Sequence, residues 1–235
     1  MGKNIVQQAR GHGGPRYRSP GFRYLGPTKY GNYESKNGTV VDVLNCPGHT
    51  APLALLKNEK EESLVIAAEG IRVGQTISIG ENSEITAGNI LSLKDIPEGT
   101  YVYNLESQPG DGGKFCRASG ACARVLGKIG NKIIVELPSK KQREFQGGCR
   151  ATIGSAAGSG RKEKPFLKAG ARFYAMKARN KLYPTTSARS MNAVDHPFGN
   201  KRSARKAKQR PCSRNAPPGR KVGKLSPRRT GRRKK

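Results

Sequence analysis

The sequence predicts an all-β fold of two successive small barrels set between basic arms, and three observations carry that expectation. Short β-prone runs recur between residues 39 and 153 at the spacing typical of barrels and sandwiches, separated by turn-forming residues. Only residues 166–179 have a convincing helical pattern. The charge is also divided sharply. The formal net charge is +29, yet residues 37–150 hold thirteen basic and thirteen acidic residues. Residues 1–36 carry seven basic against one acidic, 151–199 nine against two, and 200–235 sixteen against none. The neutral middle can fold without self-repulsion, whereas the arms order only when a polyanion neutralises them. With 34% hydrophobic residues and no Trp, the chain does not supply one large core.

Nucleic acid is the first candidate for that polyanion. The Lys and Arg of the arms are interleaved with Gly, Pro, Ser and Asn and form no apolar helical face, which argues against a membrane surface. No run approaches 18 apolar residues and no apolar signal core opens the chain, so a soluble intracellular protein is expected. Cys46, Cys116, Cys122, Cys149 and Cys212 form no Cys-x-x-Cys pair and read as free thiols in a reducing compartment. Cys46 and His49 make one Cys-x-x-His, but no second local pair completes a zinc site.

Residues 1–36 form an N-terminal extension in which basic and aromatic residues alternate with Gly and Pro, a composition that opposes regular structure. Tyr17, Phe22, Tyr24, Tyr30 and Tyr33 fit an arm lying along RNA, with rings stacked on unpaired bases and Arg16, Arg18 and Arg23 on phosphates. The first barrel is expected over residues 37–96, with strands at 39–44, 51–57, 63–69, 76–79 and 90–93 and a helical turn at 83–89. Five strands in so short a span suggest an oligonucleotide-binding barrel. The second is expected over 97–165, with strands at 101–105, 121–126, 132–137, 142–145 and 149–153 and loops at 127–131 and 138–140.

Within it, Pro109-Gly110-Asp111-Gly112-Gly113-Lys114 is long and glycine-rich. It lacks the Gly-x-x-x-x-Gly-Lys-Ser/Thr pattern of a nucleotide-binding loop, which excludes an NTPase and leaves Lys114 and Arg117 set against an RNA backbone. The helix, bounded at 166–183 and ended by Pro184, has Leu167, Ala171, Tyr174, Ala175 and Ala178 near one face, with Arg172 among the basic residues facing the polyanion. The tail, 184–235, opens on Met191–Gly199, where Pro197 pushes His196 towards an extended backbone on a loop. Adjacent residues of an extended segment point to opposite sides, so Asp195 is badly placed to orient His196 as a catalytic base, and no enzyme is expected. A DNA-compacting protein is the remaining alternative, although neutral barrels and aromatic arms suit irregular RNA better than duplex grooves.

Four stretches together resemble one family: Met191–Gly199; Cys149-Arg150-Ala151-Thr152-Ile153-Gly154; Pro109–Gly113 with Arg117-Ala118-Ser119-Gly120; and Ala216-Pro217-Pro218-Gly219-Arg220-Lys221-Val222-Gly223 with Arg228-Arg229-Thr230-Gly231. The chain is similar nearly end to end to the ribosomal protein L-two family, a universal component of the large ribosomal subunit, in its archaeal and eukaryotic branch. That resemblance implies an oligonucleotide-binding-like barrel followed by an SH3-like barrel, with both termini threaded into large-subunit ribosomal RNA near the peptidyl-transferase centre. It implies neighbouring ribosomal proteins and the small subunit as further partners, a cytoplasmic place in the ribosome, and no cofactor on the protein, magnesium arriving with the RNA. It carries the family's RNA-contacting arginine of the second barrel onto Arg117. The arginine of the first barrel falls at His49, within Pro-Gly-His-Thr, where an imidazole replaces a guanidinium fork. It further implies RNA contacts at Asn192, Asp195, His196 and Phe198, and in the tail at Arg220, Lys221, Arg228 and Arg229. After Gly199 the chain departs from the family by running Asn200-Lys201-Arg202 where members carry more glycines.

Overall fold

The computed structural model describes residues 2–19, 21–31, 37–58, 61–80, 83–200 and 210–230. Tyr33, Lys201 and Arg202 lie outside the described residues. The chain divides into two compact units, Pro20–Leu167 and the combination of Met1–Ser19 with Lys168–Lys235. Most of the regular structure is β-sheet, as the patterning predicts.

In the first unit, β1 (Asn37–Leu44), β2 (Leu53–Lys57), β3 (Glu62–Ile66) and β4 (Thr76–Ser78) form an antiparallel sheet in the order β3-β2-β1-β4. Alternation sets which face is buried: Val40, Leu56, Val65 and Ile77 turn inward and are at most 5% exposed. A register shift between Val40 and Asp42 bends β1, beyond which Val41 and Val43 face solvent. Residues 83–89 form no helical turn, only a tight turn closed by Asn89 N donating to Thr86 O at 3.2 Å. The Asn89 side chain organises the loop instead, donating to Glu84 O at 2.9 Å and Thr86 Oγ1 at 2.7 Å while accepting from Ser78 N at 3.0 Å.

The second sheet contains β5 (Ile90–Ser92), β6 (Tyr101–Tyr103), β7 (Ala123–Ile129), β8 (Lys132–Glu136), β9 (Gln142–Gln146) and β10 (Arg150–Ile153), in the order β5-β10-β6-β7-β8-β9. Here β5 departs from expectation. It pairs with β10 through Thr152↔Ile90, Ala151↔Leu91 and Arg150↔Ser92, and meets the residues that follow β4 through a parallel bridge, Ile79↔Ile90, and through Gly80 N donating to Ile90 O at 3.0 Å. Ile90 packs with the first sheet's core and Leu91 with the second's, so one short apolar strand serves both. The β7–β8 loop is also shorter than expected. A register shift between Val125 and Gly127 keeps residues 127–129 in the strand, leaving Gly130-Asn131 as a two-residue turn with Gly130 at φ 58°.

The N-terminal extension contradicts the stacking role for one aromatic. Tyr30 is 5% exposed, packs in the first core, and places its hydroxyl 2.8 Å from Asn104 O, to which it donates, and 2.6 Å from Thr152 Oγ1. Burial pushes its phenol far above the usual range.

The other unit opens with α1 (Val6–Gly11), a helix that the turn-rich composition did not predict. Its sequence is free of Gly and Pro until its last residue, and the Gln8 side chain accepts the Ile5 amide at 3.0 Å. α2 (Ala169–Ala178) lies inside the expected helix but starts three residues later, and none of its residues is buried. β11 (Pro211–Cys212) and β12 (Lys224–Leu225) pair in parallel. Ile5 is the one buried hydrophobic residue described in this unit, so polar contacts and glycine-tight turns hold it. No helix among the described residues is long and apolar enough to cross a membrane.

Candidate nucleic-acid interface

In the β-rich unit, two turns from different sheets meet at His49 and Arg117. The first runs through Pro47–Thr50, closed by His49 N donating to Cys46 O at 3.0 Å. A side chain at Gly48 would put its Cβ 2.9 Å from the Tyr24 ring, so glycine lets the N-terminal segment lie flat on this turn. The second runs through Arg117–Gly120, and Ser119 N donates to Thr50 Oγ1 at 3.1 Å, tying the two together. Arg161 Nε donates to Ser119 Oγ at 2.7 Å on the same junction.

The two candidate side chains here are held differently. The Arg117 guanidinium is half-buried, donating through Nη1 to Gly113 O at 3.1 Å and through Nη2 to Thr28 O at 3.0 Å and to Thr28 Oγ1. Its desolvation lowers its pKa, opposed by Tyr30 and Asp111. Both terminal nitrogens are thus committed to the chain's own oxygens, and Arg117 fixes the shape of the junction. His49 is partly buried with Nδ1 unpartnered among the described residues. Burial first and the Arg117 charge second lower its pKa, so it is neutral at pH 7.

The glycine-rich loop beyond Glu106 is not a phosphate cradle, because its amides already bind carboxylates. Glu106, fully buried, accepts from Gly110 N at 3.2 Å and Gly112 N at 3.1 Å. Asp111 accepts from Ser107 N, Gln108 N and Gly113 N. At Gly113, φ is 92° and a Cβ would fall 2.4 Å from Asn104 Oδ1, so only glycine fits. Arg150 satisfies Glu106 through its backbone amide at 2.9 Å, Nε at 3.1 Å and Nη2 at 2.9 Å, and donates through Nη1 to Gly31 O at 3.0 Å. Lys114 stands exposed at the end of this braced loop. Sequence reasoning missed Glu106 and Arg150 as partners; no local spacing joins residues 44 apart.

In the other unit, the loop 191–200 brings Asp195, His196 and Phe198 close together. His196 N and Asp195 N both donate to Asn192 O, at 3.2 and 3.0 Å, and Gly199 N donates to His196 O at 2.8 Å. A Cβ at Gly199 would meet Asn192 O at 2.3 Å, so the loop closes only over glycine. Phe198 N donates to His196 Nδ1 at 3.0 Å, which leaves the imidazole proton on Nε2, and the two rings lie 5.2 Å apart. Burial lowers the His196 pKa. Nδ1 is therefore an acceptor from backbone, not a donor to a carboxylate, and Asp195 faces Lys3 at 3.9 Å. The acid–base pair that a catalytic reading needs is not formed. Asn192 itself is exposed.

The remaining candidates are spread out. Arg16, Arg18 and Arg172 are exposed in this unit, with Arg172 over the Tyr183 ring at 5.4 Å. Arg23 is exposed in the β-rich unit over Phe22 at 5.3 Å. Arg220, Lys221, Arg228 and Arg229 are exposed along the tail. Gly223 packs its backbone against Phe198, where a Cβ would come within 2.9 Å of the ring. This joins the tail to the His196 loop. Among the described residues no cluster of three His, Cys, Asp or Glu forms that could hold a metal ion.

Comparison with known proteins agrees with this picture of a scaffold with basic extensions. The family model "Ribosomal Proteins L2, C-terminal domain" matches residues 86–216. The chain is 47% identical over 239 residues to a large ribosomal subunit protein uL2 of Methanococcus vannielii, covering 99% of this chain and 100% of that protein. It is 44% identical to the uL2 of Methanothermobacter thermautotrophicus over the full length of both, and 45% identical to that of Archaeoglobus fulgidus over 98% of this chain and 99% of the relative.

Proposed function

The chain belongs to the ribosomal protein L2 family, and we propose that it anchors large-subunit ribosomal RNA around the peptidyl-transferase centre and supports subunit association. It is a structural constituent of the large ribosomal subunit, cytoplasmic in the ribosome, and not an enzyme. The observation that carries the RNA reading is the charge partition: residues 37–150 are neutral, and the stretches on either side of them, 1–36 and 151–235, hold the whole excess of +29. The sheets are read as an oligonucleotide-binding-like barrel over 37–96 and an SH3-like barrel over 97–165, with β5 shared at their seam. The extensions, 1–36 and 184–235, thread into RNA, and the segment 166–183 carries the helix between scaffold and tail.

On this reading the junction of His49, Arg117 and Lys114 meets RNA as a shaped surface. Arg117 sets its form and local positive field, Lys114 takes phosphate, and neutral His49 offers one hydrogen bond where a guanidinium fork would offer a charged pair. The His196 loop presents Nε2–H as a fixed donor. Neighbouring ribosomal proteins and the small subunit complete the partners, and magnesium enters as the RNA's counterion. Sedimentation of tagged protein through a sucrose gradient, with crosslinking to map RNA contacts, tests the whole reading. Co-migration with the large subunit, with crosslinks from both arms and from around Arg117 and His196, is expected. Recovery in a light or chromosomal fraction would overturn it.

A further inference from the structure

We propose that the cavity between α2 and the N-terminal segment binds one unpaired ribosomal RNA nucleotide, its base against Phe173 and Tyr183 and its phosphate on Arg16, Lys177 and Lys181. This rests on the ribosomal reading and adds to it a specific base-binding site. The cavity measures about 220 Å³ and is lined by those five residues and Asn180. That is below the roughly 300–1,000 Å³ of pockets that enclose drug-sized ligands, so it has room for a base alone, with the sugar and phosphate at its rim.

The way the sequence builds the site explains its shape. Phe173 and Lys177 stand four residues apart on α2 and so share one face. Asn180 then takes a left-handed backbone, φ 52°, and Lys181 N donates to Met176 O at 2.8 Å, which turns the chain sharply at the helix end. Lys181 and Tyr183 thereby return beside Phe173 and Lys177. The Asn180 amide also donates to Pro15 O at 2.8 Å and to Arg18 O, which clamps the short turn Pro15–Tyr17 and brings Arg16 into the wall. Arg172 braces the Tyr183 ring from 5.4 Å.

The lining decides the ligand class. Two rings with three cations and no acid exclude a metal ion and favour an anion that carries a π-face. A nucleotide has both, since its base can stack on an aromatic ring while its phosphate meets Lys and Arg. An unpaired, unstacked nucleotide is required because a base inside a helix has both faces covered by its stacked neighbours. The three cations are the kind of phosphate contact that makes RNA affinity salt-dependent, whereas the rings contribute without releasing counterions. The two contributions are therefore separable by experiment.

The test is binding of the full chain to a large-subunit ribosomal RNA transcript across a potassium chloride series, alongside ultraviolet crosslinking of intact large subunits. Phe173→Leu and Tyr183→Leu should each lose roughly 5- to 150-fold in affinity with an unchanged slope of log affinity against log salt. Lys181→Gln should flatten that slope by about 0.7, and a nucleotide adduct should appear on the 173–183 peptides. Lys181 is exposed, so its variant still decides the matter if a leucine variant misfolds. Leucine variants within twofold of the parent, an unchanged slope for Lys181→Gln, and no adduct at 173–183 would overturn the pocket, while crosslinks elsewhere would leave the ribosomal reading standing. A parent chain that neither binds the transcript nor sediments with the subunit would overturn both.

Discussion

His49 shows how one side chain reports on a whole junction. Its imidazole is held neutral mainly by loss of solvent and secondarily by the Arg117 charge. A histidine whose folded pKa lies below its unfolded value of 6.5 binds fewer protons folded than unfolded. Its contribution to stability is therefore fully present above that value and is lost as pH falls through it towards the folded pKa. An NMR titration of the ring protons should place the His49 midpoint below 6.5, and Arg117→Gln should raise it by removing the nearby charge. A midpoint above the ordinary value, or one indifferent to Arg117, would mean that the two turns do not meet as described. Urea unfolding at pH 7.5 and pH 5 should likewise show His49→Gln losing less stability on acidification than the parent.

Among the elements, the segment from Glu106 to Arg117 is the one whose rigidity rests on a single buried charge. The Glu106 carboxylate accepts five N–H groups, from Gly110, Gly112 and three positions of Arg150. Glutamine can accept on one side only and would set its NH₂ against donors on the other, so Glu106→Gln should cost about 3–5 kcal/mol. Thermal unfolding measures the loss, and faster amide exchange at Gly110 and Gly112 localises it; unchanged exchange there would show that the carboxylate does not hold the loop. This element also marks the limit of what local sequence reveals. The strands were legible because alternation writes the buried face into residues such as Val40, Ile133 and Val135. The His196 loop was legible because Pro197 fixes its own φ and constrains the residue before it. The Glu106–Arg150 pair, the sharing of β5 between cores and the burial of Tyr30 were not. Each depends on which distant segment lies opposite, and neither composition nor period encodes that. Asn104, at φ 51°, ends β6 two residues earlier than its β-prone run suggests for the same kind of reason, since Gly113 packs directly against it.

For the molecule as a whole, folding and binding draw on different parts of the chain. The β-rich unit has apolar cores, and its residues 37–150 carry no net charge, so it can form without RNA. The described residues of the tail include no buried apolar side chain, and its charge density opposes compaction, so its order is expected to be coupled to a polyanion. Residues 200–235 hold sixteen of the cations and no acid. If ten arm cations each neutralise a phosphate, log affinity for ribosomal RNA should fall against log salt with a slope of about −7 to −9. Truncation after Gly199 should flatten that slope by several units, while leaving the cooperative unfolding of the β-rich unit unchanged by circular dichroism. A slope that survives truncation would move the electrostatic anchor to the remaining cations, and a loss of β-sheet unfolding would show that the scaffold depends on the tail. The expected result, a flattened slope on an intact scaffold, follows from a chain in which the sheets supply shape and the arms supply charge.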